Sequence, residues 1–185
     1  DGKSASLTAP SGPAQTGMLQ AALADGAVSP EDVACNEAHG TGTPLGDPIE
    51  ARSVAALIEG RGESVLALGS VKSCVGHTEP GAGLAGLLVL AAGLRRGEAA
   101  PNGQLHSINE HVDAALQGAS CALPAQLAPV PAGASDHGRV GGVSSFGYAG
   151  TIAHAVLRAR ARIPAPDAQS ASPPAYRQRR FAWLE

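Results

Sequence analysis

The sequence has few aromatic residues: Phe, Trp and Tyr together make up 3% of its 185 residues. Apolar residues still reach 44%, so the chain can form a core and is not intrinsically disordered. Because aromatics are scarce, that core has to be built mainly from Ala, Leu and Val. The 24 glycines favour close packing of helices against a sheet.

An excess of positive charge is also lacking. The formal net charge is -3, and the pairs Arg95-Arg96 and Arg179-Arg180 are too short to form a basic stripe. Nucleic-acid binding depends on a basic surface. We therefore expect no nucleic acid among the partners of this protein.

No apolar run suggests a membrane span. The run at 82–94 is shorter than the about 20 residues that a helix needs to cross a bilayer, so we interpret it as a buried helix. No signal-peptide pattern opens the chain, and Asp1 in place of Met suggests that residue 1 is not a natural start. We expect no membrane partner.

The three cysteines, Cys35, Cys74 and Cys121, are odd in number and lack paired spacing. This argues against a disulfide framework, and the absence of a Cys-x-x-Cys pair argues against a zinc site. Each cysteine is interpreted as a small core residue. We expect reduced thiols and a cytoplasmic location, or the plastid stroma if the source is a eukaryotic alga.

The pattern of apolar residues predicts alternating helices and strands. Helices are predicted at 18–24, from Asp47 to Gly60, at 82–94 and at 110–116, and strands at 33–37, 65–71, 140–146 and 152–158. A tight turn at 147–150 indicates that the last two strands pair antiparallel. The order predicts an α/β fold with a mixed sheet flanked by helices. Because the 82–94 helix is apolar on every face, we expect protein to enclose it on all sides.

The strongest helix start lies at Asp47. This residue is expected to be the N-cap, Pro48 suits the first helical position, and Glu50 stands where a capping box places a carboxylate. Near the end of the chain, residues 163–174 change to Pro, Ala and Ser, which is typical of a linker. We divide the chain into a domain at 1–160 and a linker at 161–185.

Three clusters carry residues suited to chemistry. In the first, His39 stands at a strand end and is followed by Gly-Thr-Gly-Thr, which includes Thr41 and Thr43. In the second, Lys72 and His77 lie between a buried strand and an apolar helix, where the helix dipole favours a neutral imidazole that can donate to an oxyanion. Taken singly, the first could be a loop whose threonines cap their own backbone and the second an N-cap region with an incidental histidine.

The third cluster, with Phe146, Gly147 and Tyr148, lies in the turn between the last two strands, where small residues let a ligand approach the backbone. Alone it could equally be a plain hairpin turn. No carboxylate or cysteine completes a metal site with His39 and His77, so no metal is expected. The other histidines are interpreted as structural or solvated: His106, His111, His137 and His154.

Together, the three clusters resemble the β-ketoacyl synthase family of polyketide synthases. Glu-Ala-His-Gly-Thr-Gly-Thr at 37–43 is similar to the first histidine motif of that family, and Gly-Ser-Val-Lys-Ser-x-x-Gly-His-Thr-Glu at 69–79 to the second. Gly-Val-Ser-Ser-Phe-Gly-Tyr-x-Gly-Thr at 142–151 is similar to its glycine-rich loop. The resemblance covers residues 1–158, and three motifs at matching intervals rarely coincide.

The resemblance implies the C-terminal half of a thiolase-like layered fold and an acyltransferase that performs decarboxylative Claisen condensation. It implies that His39 and His77 bind the thioester carbonyl of a malonyl-type extender, while Lys72 holds the His77 region. Thr41 and Thr43 would contact a phosphopantetheine arm. No cofactor is expected to bind directly, because an acyl carrier protein presents that arm as the substrate carrier.

The resemblance also implies that the segment Phe146-Gly147-Tyr148 binds substrate, with the Tyr148 N–H in an oxyanion hole and its ring gating the pocket. The nucleophilic cysteine of the family belongs to the N-terminal half, and no cysteine of this chain occupies that motif. The expected partners are therefore that N-terminal half and the carrier protein, with a homodimer once the domain is complete. The isolated chain is expected to be inactive.

Two departures from the family pattern lie in the third cluster, where Ala149 replaces the usual Gly and Ile152 the usual Asn. They motivate a second interpretation, a non-condensing module that docks acyl carrier protein or serves as a scaffold. A third interpretation, a thiolase relative with non-decarboxylative chemistry, is disfavoured because the sequence has two histidine motifs rather than a His/Cys pair.

Overall fold

A five-stranded mixed sheet organises the fold. The computed structural model describes residues 9–62, 64–130 and 138–159. The strands are β1 Val33–Glu37, β2 Leu66–Gly69, β3 Glu98–Ala99, β4 Cys121–Ala122, β5 Ala128–Pro129, β6 Arg139–Phe146 and β7 Ile152–Ala159. The sheet has the order β4-β2-β1-β6-β7, in which the first four strands are parallel and β7 is antiparallel to β6. A separate short pair joins β3 and β5.

Helices cover both faces of this sheet. They are α1 Gly12–Asp25, α2 Gly46–Leu57, α3 Lys72–Val75, α4 Ala82–Arg96 and α5 Glu110–Leu116, with 3-10 turns at Pro30–Asp32 and Glu79–Gly81. On one face, α1, α2 and α5 bury a core that includes Leu19, Ile58 and Leu116. On the other, α4 places Leu90 and Leu94 in a second core cluster. The predicted α/β fold with a mixed sheet flanked by helices is confirmed.

Most predicted elements are present. The strand at 33–37 and the helix at 110–116 have the predicted bounds. The last two strands pair antiparallel from Phe146 with Ile152 to Arg139 with Ala159, as predicted. The first helix is longer than the predicted 18–24, because the Ser11 hydroxyl accepts the Ala14 N–H and Pro13 fits its first turn.

The predicted capping of α2 is wrong. The helix begins at Gly46 after Leu45, which provides no side-chain cap. The Asp47 carboxylate instead accepts the Thr41 and Gly42 N–H groups. Glu50 likewise accepts backbone N–H groups from the turn before the helix. Both carboxylates thus satisfy donors of the preceding turn, which outcompete the helix's own first N–H groups.

The prediction that α4 is enclosed on all sides is also wrong for the described part of the chain. Its buried residues repeat at one-turn intervals from Ala82 through Gly86 and Leu90. On another face, Leu84 is 60% and Leu88 63% exposed. The helix is apolar all round, but the described residues provide only one sheet to cover it.

The remaining boundaries lie outside what the structure describes. The predicted linker at 161–185, and with it the division of the chain at residue 160, falls on residues outside the described ranges. Among the described helices, none combines the length and the apolar character needed to cross a bilayer.

A pair of glycine variants tests the packing of α4 on the sheet. A Cβ at Gly141 would lie 2.7 Å from the Leu90 Cδ1 and 3.0 Å from the Cys35 carbonyl oxygen, whereas a Cβ at Gly17 of α1 meets nothing within 4 Å. We expect Gly141→Ala to lower the free energy of unfolding by about 1–3 kcal/mol through overpacking. Gly17→Ala should raise it by about 0.5–1 kcal/mol. Denaturant unfolding measures both, and equal effects of the two variants would contradict this packing.

Candidate active site

The carboxyl ends of β1 and β2 place two turns side by side. The strands are parallel, Glu37 pairs with Gly69, and the Ala38 N–H donates to the Gly69 carbonyl at 2.7 Å. The chain continues from β1 into the turn of His39 and from β2 into the turn of Lys72 and His77. In open α/β sheets, ligands bind at the carboxyl ends of the strands.

A buried carboxylate holds the first turn. The Glu50 carboxylate, which is buried, accepts the His39 N–H at 2.7 Å and the Gly40 N–H at 2.9 Å. Gly40 has a φ of 46°, and a Cβ there would lie 2.7 Å from the Ser70 Cβ. A side chain at Gly40 would therefore collide with the second turn, so the glycine allows the two turns to touch.

The second turn orients His77. Its Nδ1 accepts the backbone N–H of Glu79 at 2.9 Å, so the neutral ring carries its proton on Nε2. The ring itself is exposed. The predicted position at a helix N-terminus is only approximate, because a 3-10 turn at Glu79–Gly81 separates His77 from α4. The contact that fixes the tautomer is local to this turn.

The two histidine rings lie next to each other. Their centroids are 5.6 Å apart, with an edge-on interplanar angle of 86°. The His39 ring also lies 5.3 Å from the ring of Phe146, which belongs to the third cluster. The three sequence clusters therefore meet at one place.

The electrostatics favour a neutral His39. Burial lowers its pKa to about 4, and the neighbouring Lys72 and His77 contribute in the same direction. Its Nδ1 is buried and has no hydrogen-bond partner among the described residues. Burial also raises the pKa of the Glu50 carboxyl to about 7, against the effect of its two N–H donors. Burial lowers the pKa of Lys72, while nearby carboxylates, first that of Glu37, oppose this shift.

A cavity of about 840 Å³ opens in front of the two rings. The predicted site residues that line it are His39, Thr41, Thr43, His77, Phe146, Gly147 and Tyr148. Lys72 does not line this cavity but a neighbouring one of about 430 Å³, which His77 and Thr41 also border. The ammonium of Lys72 makes no hydrogen bond or ion pair to the described part of the chain within 4.0 Å.

Sequence reasoning missed the role of the acidic residues around the first histidine motif. In the sequence, Asp47 and Glu50 fit the start of a helix, and Glu37 is only one letter of the motif. A carboxylate in a strand that is predicted to be buried, as Glu37 in β1, is the sequence signal for this role, because buried charges require partners.

The remaining histidines and cysteines lie apart from these rings. The half-buried His154 shares a hydrogen bond of 3.0 Å with the Ser144 hydroxyl, and burial lowers the pKa of its ring to about 4. His106 and His111 are exposed, whereas His137 lies outside the described residues. The described residues contain no cluster of three or more metal-ligating side chains.

The core assignment of the cysteines holds in part. Cys35 is buried, and burial raises the pKa of its thiol to about 12. Cys121 is half-buried, and burial raises its pKa as well. For Cys74 the prediction is wrong: it is exposed on α3, because this short helix lies outside the sheet and has no buried face.

Comparison with known proteins relates this site to one family. A family model described as the β-ketoacyl synthase C-terminal domain matches residues 1–106, which is more than half of the chain. The polyketide synthase ThaG of Burkholderia thailandensis is 42% identical over 92% of this chain. The polyketide synthase GfsA of Streptomyces halstedii is 42% identical over 91% of it. The chain spans only 3% and 2% of these two proteins.

Solved ketosynthase structures share the fold. The oxazolomycin ketosynthase domain OzmH KS7 from Streptomyces albus JA3453 is 32% identical over 88% of this chain, with a TM-score of 0.78. The ketosynthase from module 6 of the bacillaene synthase of Bacillus subtilis 168 gives the same identity, coverage and TM-score. The chain covers only 29% and 30% of those two structures. Their similarity over most of this chain confirms the predicted thiolase-like fold. This chain therefore belongs to the β-ketoacyl synthase family, as a C-terminal ketosynthase domain of the modular polyketide synthase type.

Proposed function

We propose that this chain supplies the two histidine donors for decarboxylative Claisen condensation in a polyketide β-ketoacyl synthase. The observation that carries the proposal is the 5.6 Å separation of the His39 and His77 rings at the edge of one cavity. At this distance, two imidazoles can donate to a single oxygen atom between them. His77 has its proton on Nε2, since Nδ1 accepts the Glu79 N–H.

The proposed step develops negative charge on a carbonyl oxygen. The malonyl-type extender loses carbon dioxide, and the electron pair of the broken C–C bond forms an enolate on the thioester oxygen. The enolate carbon then attacks an acyl group held on a cysteine, and the cysteine leaves as a thiolate. Neutral donors fixed at the enolate oxygen stabilise it in the transition state, and removing one donor in such sites costs about 100–1000-fold in rate.

The hydroxyls of the first turn suit a phosphopantetheine arm. Thr41 and Thr43 have their Oγ1 atoms 3.2 Å apart at the cavity, and Thr43 is exposed. Two adjacent hydroxyls can bind the amides of the arm, which delivers the extender from an acyl carrier protein. Lys72 is proposed to hold the turn that carries His77, because both residues border the neighbouring cavity.

The third cluster is proposed to bind the acyl group. Its turn is closed by the Gly147 N–H, which donates to the Thr151 carbonyl at 2.6 Å. The Tyr148 N–H has no hydrogen-bond partner among the described residues, which suits an oxyanion hole. The Tyr148 ring is 83% exposed at the cavity mouth, where it can gate entry. Phe146 lies against His39 and limits the width of the chamber.

The nucleophile is proposed to come from a cysteine-bearing N-terminal half, so the chain alone should not condense substrates. We propose that this half packs on the exposed apolar face of α4, at Leu84 and Leu88, and that the complete domain is a homodimer. In this proposal, residues 1–160 are the C-terminal portion of the ketosynthase domain, and residues 161–185 are a linker that follows it. The free thiols suit a cytoplasmic or stromal compartment.

Replacing either histidine tests the function against the docking-module alternative that Ala149 and Ile152 suggest. In the complete domain, His39→Ala and His77→Ala should each lower the rate of malonyl decarboxylation by about 100-fold or more. His111→Ala serves as the control, because that ring is exposed, lies 3.8 Å from the Glu110 carboxylate and does not line the cavity. Rates that are equal in all variants, or no decarboxylation by the native domain, would favour a docking module.

The neutrality of His39 predicts a pH dependence of stability. A histidine whose pKa is depressed on folding, here to about 4 from 6.5, stabilises the fold above pH 6.5. That contribution is lost as the pH falls towards 4. Between these values, the native domain should therefore lose thermal stability more steeply than His39→Gln. Lys72→Met should show an intermediate slope, since it removes one cause of the shift; parallel curves for all three proteins would contradict the assignment.

The α4 face predicts a specific loss of assembly. Burying a leucine contributes about 1.5–3 kcal/mol, so Leu84→Asp/Leu88→Asp should weaken association with the N-terminal half by about 100-fold or more. Leu127→Asp is the matched control, because Leu127 is 64% exposed but lies before β5. Co-purification of the two halves measures the effect. Equal recovery of the double variant and the control would exclude α4 as the interface.

A further inference from the structure

Glu37 connects the strand of the first histidine to the turn of the second. It is the last residue of β1, two positions before His39, and is only 7% exposed. Its Oε1 accepts the backbone N–H of Val71 at 2.6 Å, and Val71 directly precedes Lys72. The side chain therefore links two segments that each carry a residue of the proposed active site.

The backbone ladder between the strands ends where this contact begins. The last paired residues are Glu37 and Gly69, followed by the single bond from the Ala38 N–H. Beyond them, the turns are joined by the Glu37 carboxylate and by the Ser70 hydroxyl, which donates to the Gly40 carbonyl at 3.5 Å. A short bond to a carboxylate is stronger than a long bond between neutral groups. The Glu37 side chain thus continues the connection between the two segments beyond the last strand pair, as far as Val71.

Helix α4 leaves room for this side chain. A Cβ added at Gly86 would lie 3.0 Å from the Glu37 Cγ and 3.6 Å from its Oε1. The carboxylate therefore lies between β1, the start of α3 and the helix that follows His77. A group in contact with all three can transmit a displacement of any one to the others, because protein interiors are close-packed.

We propose that Glu37 is a positioning residue that fixes the Lys72–His77 turn relative to His39. It acts through the Val71 N–H, and no contact with substrate is needed. The inference rests on the proposed function, because a fixed separation matters when both rings serve one oxygen. Misplacement of a donor by about 1 Å is enough to lower a rate by about 100-fold.

Three variants of the complete domain test the proposal. Glu37→Ala should lower kcat for malonyl decarboxylation by about 10–100-fold, while KM changes by about threefold or less. Glu37→Gln keeps an acceptor oxygen for Val71 and should restore most of kcat. Asn36→Ala is the matched control: Asn36 is the neighbouring residue, is also 7% exposed and projects from the other face of β1.

Hydrogen exchange at the Val71 amide gives a readout that does not need activity. It should be slow in the native domain and in Glu37→Gln, and at least about tenfold faster in Glu37→Ala. Unchanged exchange, or a loss of kcat in Asn36→Ala as large as in Glu37→Ala, would overturn the inference. If the native domain fails to decarboxylate, the proposed function fails instead, and the exchange rates still decide whether Glu37 holds the second turn.

Discussion

The parallel pairing of β1 with β2 is the constraint on which the site depends. It brings two turns, far apart in sequence, to one edge of the sheet, but backbone bonds alone end at Gly69 and leave the N–H groups beyond it without partners in the ladder. The Ser70 N–H donates to the Asn102 amide oxygen. Buried carboxylates take three further donors: Glu50 those of His39 and Gly40, and Glu37 that of Val71. An unsatisfied buried N–H costs about 1–3 kcal/mol, so the acids determine where the turns can lie.

The same arrangement sets the charges around the histidines. Burial disfavours ionisation of Glu37 and Glu50, and it also disfavours the charged form of Lys72. The positive charge of Lys72 lowers the cost of ionising both carboxyls, and the carboxylates in turn favour the charged lysine, because opposite charges attract in a poorly solvated region. Burial, and after it the charge of Lys72, lowers the pKa of His39. The acids thus fix the turns directly, and through the lysine they also favour the neutral imidazole that a hydrogen-bond donor to an enolate requires.

Periodicity and turn chemistry predicted most of the fold, because they depend on neighbouring residues. The antiparallel pair β6–β7 follows from two apolar runs around a glycine-rich turn. The capping of α2 could not be predicted, since Asp47 and Glu50 fit a helix start equally well, and only the folded chain shows that the preceding turn takes their oxygens. That His39, His77 and Phe146 lie together could be predicted only from the resemblance of their motifs to one family. No feature of the sequence indicated that Lys72 lines a separate cavity.

The error about α4 has a further physical consequence. A helix that is apolar on every face predicts enclosure, and the described residues enclose only one side of it. The site is also incompletely covered, because His77 and Tyr148 are exposed at the cavity. Hydrogen bonds to a developing oxyanion are strong only where water is excluded. His77 lies just before α4 in the chain, so an N-terminal half that packs on the exposed face of α4 would also lie close to His77. The proposed packing would therefore complete the core and exclude water from the histidine donors.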